Sequence, residues 1–292
     1  MTTRILSRWT VAATLFLITF GGFTRGSRSG YGCADRWPLC EDGLLGGLLP
    51  RAEFHMIVEW THRWLAVVVG LLAVATAVMA WRQVRRWIAW VAISGIVVIG
   101  IQAWVGRLVV VNGLDADLVS LHLAISMTVA ALFTLVAVAT TPSPAPPSAA
   151  WAYRYLTGAA VVLAVLMLGS FVHNLYFPGW PLVSNEFFPD LGNRHVALHY
   201  LHRLIAGGGL IYFGWLGWSA HAGRRPRFEQ AILWVGLAAY ATNIGLGGAH
   251  VVTKVTWSGL VAAHLGAASL VWVCLVATTG LAAGLGTRET PA

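Results

Sequence analysis

Charge is scarce in this chain. Only 10% of its 292 residues are Asp, Glu, Lys or Arg, where soluble globular chains carry about a quarter. With 58% of residues hydrophobic and a mean hydropathy of +0.71, no soluble fold hides this much apolar surface. The bilayer must be the solvent, and backbone satisfaction in lipid leaves only helices or closed barrels. The alternation every second residue that barrel strands need is missing too. Continuous apolar runs stand in its place, about 20 residues long, which is helix length for a hydrocarbon core of about 30 Å. A long basic patch is also lacking. The net charge of +8 is divided among short arginine clusters between apolar runs, as loop anchors are, so no nucleic-acid partner is expected.

Cysteine is nearly absent, with three residues. Cys274 lies in an apolar run and reads as a small packing residue. Cys33 and Cys40 share the first outer loop, where an oxidising compartment favours a disulfide over two unpaired thiols. Proline is concentrated between Thr141 and Ser148, a stretch that cannot continue a helix and reads as a linker.

What is present is eight apolar stretches, near 9–24, 55–80, 87–111, 117–140, 152–173, 196–220, 229–250 and 257–284. Arg4 and Arg8 before the first run resemble a signal peptide. Gly21-Gly22-Phe23 at the end of that run is echoed by Gly169-Ser170-Phe171 at the end of the fifth, which argues that it is retained. The expected fold is an all-α integral membrane protein of eight transmembrane helices in two pseudo-symmetric four-helix bundles. Residues 1–141 form the first, 142–150 a cytoplasmic linker and 151–292 the second. Arg82, Arg85 and Arg86, with Arg224, Arg225 and Arg227, mark cytoplasmic loops and place both termini in the cytoplasm. Arg25, Arg28, Arg36 and Arg51 in the first outer loop oppose that orientation; the tighter clusters carry more weight.

The histidines repeat. H-M-I-V-E-W-T-H-R at 55–63 corresponds to H-V-A-L-H-Y-L-H-R at 195–203, an offset of 140. His55, Glu59 and His62 thus match His195, His199 and His202, on one helical face by their i, i+4, i+7 spacing. His122 in the fourth run corresponds to His264 in the eighth. Helices two and four of an up-down bundle stand diagonally across its core. Histidines from each, at roughly 8–11 Å below the outer end, suit a planar macrocycle with an axial imidazole on either side of its iron. Zinc fits less well: each half supplies two matched imidazoles and no buried thiolate cluster. Arg63 and Arg203 follow the ligand candidates and could pair with heme propionates or snorkel to the interface. His55 and His195 lie at the rim, where hydrogen bonding or propionate contact suits them better than ligation. His173, His221 and His250 lack counterparts and receive no role. Glu59 stands where the second half has His199. A membrane-embedded carboxylate is functional by default; the alternative is an ion pair with a nearby arginine.

These residues resemble the heme A synthase family over nearly the whole chain. The resemblance rests on G-G-F-T-R at 21–25, S-G-Y-G-C-A-D-R-W-P-L-C at 29–40, E-W-T-H-R at 59–63, the H-R at 202–203, and His122 and His264. It implies a bacterial multi-pass enzyme whose first bundle receives heme O on His62 and His122, with Glu59 as catalytic carboxylate. The second bundle would hold a heme b cofactor on His202 and His264. The C8 methyl of heme O would be oxidised to a formyl group through an alcohol, Glu59 stabilising positive charge or relaying protons. Substrate handover from heme O synthase is implied, with an electron donor the sequence does not name. Cys33 and Cys40 match a cysteine pair that family members carry. A second pair found in some members has no equivalent, since 174–195 hold no cysteine. The competing expectation is a diheme b-type cytochrome, which has no use for the Glu59 asymmetry. A transporter would more often show inverted repeats and broken helices.

Overall fold

A computed structural model of the chain describes residues 2–143, 146–172 and 178–287. His173 and part of the expected linker, Pro144 and Ala145, lie outside the described residues. Among the described residues the fold is all-helical with no strand. The elements are α1 (Thr3–Gly26), the single turn α2 (Leu44–Gly47), α3 (Phe54–Gln83), α4 (Arg86–Val111), α5 (Ala116–Ala139), α6 (Ala149–Val172), α7 (Arg194–Ala222), α8 (Arg227–Val252) and α9 (Ser258–Ala282). Each expected apolar stretch lies within or across one long helix. α6 begins at Ala149, inside the stretch read as linker.

Seven of these helices (α1, α3, α4, α5, α6, α8 and α9) are long and apolar enough to cross a membrane. The chain is therefore a multi-pass membrane protein, and its surface agrees. Leu71, Ile211 and Trp218 are 65%, 76% and 65% exposed, tolerable for such side chains in number only against lipid. α7 is just as long but carries Arg194, Arg203 and four histidines, and it is not among the seven.

Side chains cap three of the long helices. Thr2 caps α1, the Asp115 carboxylate accepts from Asp117 N and Leu118 N at 3.0 and 3.1 Å to begin α5, and the Asn193 side chain accepts from His195 N at 2.9 Å to begin α7. The last two caps matter most, because they fix how far down α5 and α7 the histidines stand.

Packing follows a closed order. α1 packs on α3, α3 on α4, α4 on α5 and α5 back on α1; likewise α6 packs on α7, α7 on α8, α8 on α9 and α9 on α6. The two sets meet where α9 lies against α1 and α5, and α5 against α6. Glycines bring α1 and α9 close. A Cβ at Gly26 would stand 2.9 Å from Val261 Cβ, and one at Gly22 3.2 Å from Ala262 Cα. Small residues at such a crossing let two backbones approach in lipid, where van der Waals packing drives association. Across the same seam Trp272 Nε1 donates to Met127 O at 2.9 Å, and Arg25 donates to Ser170 Oγ and O at 3.3 and 3.2 Å.

Candidate heme sites

His62 stands eight positions past Phe54 at the start of α3, and His202 eight past Arg194 at the start of α7. His122 stands six past Ala116 in α5, and His264 six past Ser258 in α9. At 1.5 Å per residue the depths are about 12 Å and about 9 Å, the same pair in both sets. α3 and α5 are opposite members of their closed ring, as are α7 and α9, and the His62 and His122 rings lie within electrostatic reach of one another.

Ligating imidazoles commonly donate their second ring nitrogen to a carbonyl, which fixes the tautomer and raises basicity. His202 fits that pattern, with Nδ1 3.0 Å from Val165 O. The Nδ1 atoms of His62 and His122 are buried without a hydrogen-bond partner among the described residues. Phe20 lies roughly parallel to the His62 ring, with centroids 6.4 Å apart. Two half-buried imidazoles from opposite helices, their Nδ1 atoms buried, suit an iron porphyrin, and no cluster of three or more metal-binding side chains occurs among the described residues. Bis-histidine heme ligation thus fits the donor set better than zinc.

Glu59 is buried, 3% exposed, one turn above His62. Its Oε2 accepts from Cys33 N at 2.8 Å, and its Oε1 from Arg63 Nη2 and Nε at 2.5 and 3.1 Å. The carboxylate is therefore ion-paired with the adjacent arginine and bonded to the loop between α1 and α3. That loop is closed by a Cys33–Cys40 disulfide, both cysteines being fully buried. Gly32 makes the approach possible, because any side chain there would collide with the His55 carbonyl at the start of α3.

Both rim arginines clamp a loop. Arg63 Nη1 donates to the carbonyls of Arg36, Pro38 and Leu39 at 2.8, 3.2 and 2.9 Å. Arg203 Nη1 donates to those of Gly179, Pro181 and Leu182 at 2.6, 3.5 and 2.7 Å. In each loop the acceptors are the residue before a Trp-Pro-Leu tripeptide, at 37–39 and again at 180–182, and its proline and leucine, with the Trp–Pro bond cis in both. Sequence reading missed this second repeat, whose signal was the tripeptide recurring at an offset of 143. It also passed over His250, whose ring stands 5.2 Å from that of His264 at 85°. Of the remaining histidines, His55 Nδ1 is 3.0 Å from Ser29 Oγ, His221 Nδ1 is 3.2 Å from Gln230 Oε1, and His195 lies in the first turn of α7.

Fold and site define a helical membrane protein whose histidines sit at matched depths on opposite helices. The chain belongs to the cytochrome oxidase assembly protein family, which it matches over residues 47–276. It is 27% identical over 239 residues to the heme A synthase of Bacillus licheniformis, covering 77% of each chain. To that of Alkalihalophilus pseudofirmus it is 26% identical over 255 residues, 83% of this chain and 84% of the relative. To that of Symbiobacterium thermophilum it is 27% identical over 292 residues, 91% and 93% of the two chains.

Proposed function

We propose that this chain is a heme A synthase, an oxidoreductase that converts the C8 methyl group of heme O to a formyl group through an alcohol, in two oxidation steps. The carrying observation is a buried carboxylate, Glu59, one turn from a candidate heme ligand in one half only; relatives named for this activity along most of the chain support it. In this reading the eight long helices all span the membrane as two pseudo-symmetric four-helix bundles. Residues 1–141 and 151–292 form them, joined through a cytoplasmic linker at 142–150, with both termini cytoplasmic in a bacterial cell membrane.

The first bundle receives heme O, with His62 and His122 as ligands, and the second holds heme b on His202 and His264. Heme b, when bound, supplies an electron path to the substrate site. Glu59 stabilises positive charge developing at the reacting carbon or carries its proton. Arg63 and Arg203, anchored to the Trp-Pro-Leu loops, stand at the rim to contact the propionates. Heme O arrives from heme O synthase within the same bilayer.

One observation favours the alternative, a diheme b-type cytochrome: Glu59 already has a complete ion pair with Arg63, as a purely structural carboxylate would. Chromatography of hemes extracted after co-expression with heme O synthase decides between them. Heme A or its alcohol precursor is expected. Heme O and heme b alone, from protein with normal heme b absorbance, would establish the cytochrome.

A further inference from the structure

Resting on the proposed heme sites, a second repeated feature emerges. Each candidate ligand lies on a glycine of the long helix that precedes it in the chain. A Cβ at Gly21 of α1 would stand 3.1 Å from His62 Cε1, and one at Gly106 of α4 3.1 Å from His122 Cε1. A Cβ at Gly169 of α6 would stand 3.0 Å from His202 Cε1, and one at Gly247 of α8 3.5 Å from His264 Cε1. The nearest atom is the same ring carbon in all four cases. Other glycines of the long helices differ: Gly70, Gly100, Gly207 and Gly245 would place a Cβ in open space, whereas Gly22, Gly95, Gly158 and Gly236 abut atoms other than a candidate ligand.

The ring plane of an axial imidazole needs something to hold it. At His202 there are two such restraints, the Val165 carbonyl on Nδ1 and the Gly169 backbone behind Cε1. At His62 and His122 no partner for Nδ1 occurs among the described residues, so the glycine contact carries the restraint. We infer that Gly21, Gly106, Gly169 and Gly247 are positioning residues that set the plane of the four axial imidazoles. The chemistry is steric. Cε1 lies between the two ring nitrogens, so a bare backbone behind it lets the ring stand upright, and a methyl group there turns or lifts it.

The distances grade the effect. Contacts of 3.0–3.1 Å force the ring to move, whereas 3.5 Å is ordinary van der Waals separation. The test uses the purified full-length protein with heme b bound, read by low-spin electron paramagnetic resonance and by heme b content. These signals report ligand-plane orientation and retention independently of turnover. Gly169→Ala is expected to shift the g values and weaken heme b retention about 10-fold, the lower end for disturbing a ligand's supporting shell. Gly247→Ala should shift them less, and Gly207→Ala, with no neighbour to meet, should match wild type. Gly21→Ala and Gly106→Ala should leave the heme b signal intact and alter that of heme O bound in the first half. A Gly169→Ala protein that disturbs both sites alike, or neither, overturns the inference. Wild-type protein without a bis-histidine heme signal would instead overturn the heme reading beneath it.

Discussion

Glu59 serves two neighbours at once, a backbone amide on one oxygen and a guanidinium on the other. Glu59→Gln cannot satisfy both, because its amide nitrogen must turn a donor toward either Cys33 N–H or Arg63. The variant should still fold and keep its heme b spectrum while conversion falls by about 10² to 10⁴, the usual cost of losing a placed acid–base group. The ratio of heme O to heme A in extracts measures it, and near-normal conversion would reduce Glu59 to a structural partner. His199→Gln at the matching place in α7 should have much less effect. The loop above Glu59 has its own test. Cys33 and Cys40 should resist alkylation in unreduced membranes and label fully after reductant. Sequence spacing was enough to find Glu59, since it breaks a repeat. Its clasp by the loop was not legible, because Gly32 and Cys33 come to it from 26 or more positions away and only the folded backbone brings their amides near.

Helices explain which features a pattern reading can see. The histidine register was visible because polar residues on an apolar face repeat every turn, and Asp115 and Asn193 fix where two of those turns begin. The glycine seats were hidden, because a residue without a side chain leaves no periodic signal, and Gly106 or Gly247 looks like any glycine in lipid. The Trp-Pro-Leu repeat was hidden for another reason: it falls in loops, where apolar periodicity says nothing. One helix-end cluster also departs from the repeat. Glu229 of α8, 2% exposed, takes Arg225 Nη2 at 2.7 Å on Oε2, and Tyr155 Oη of α6 at 2.6 Å on Oε1. The matching position in α4 is Ile88. Glu229→Ala would strand a buried guanidinium and should cost about 3–5 kcal/mol. A lowered unfolding midpoint in detergent, with unchanged heme identity, is the expected readout. Tyr155→Phe, which removes one hydrogen bond, should cost about 1–3 kcal/mol.

For the molecule as a whole, the separation of labour between halves makes the sharpest demand. His202→Ala or His264→Ala should lower the heme b content of purified protein. His62→Ala or His122→Ala should leave it near normal and abolish conversion of heme O. Pyridine hemochrome spectra beside extracted-heme chromatography read both quantities from one sample. Equal loss of resident heme from all four variants would remove the assignment of one half to substrate and the other to cofactor. The all-helical order was legible in outline from the apolar stretches. The seam was not, because Gly22 and Gly26 were read only as part of a motif, whereas in the fold they are the surface α1 presents to α9.

That seam has a consequence for the order in which the protein is made. α9 packs on α1, α5, α6 and α8, yet it is the last of these helices to leave the ribosome. Until it arrives, the glycine face of α1 has no mate, Tyr240 and Phe213 lack part of their surrounding core, and His264 is not yet in the bilayer. The helix that joins the halves is therefore made after the helices it packs on. Closure of the seam and of the second ring waits for α9, and a ribosome stalled before Ser258 leaves behind a chain with an open flank for membrane proteases to find.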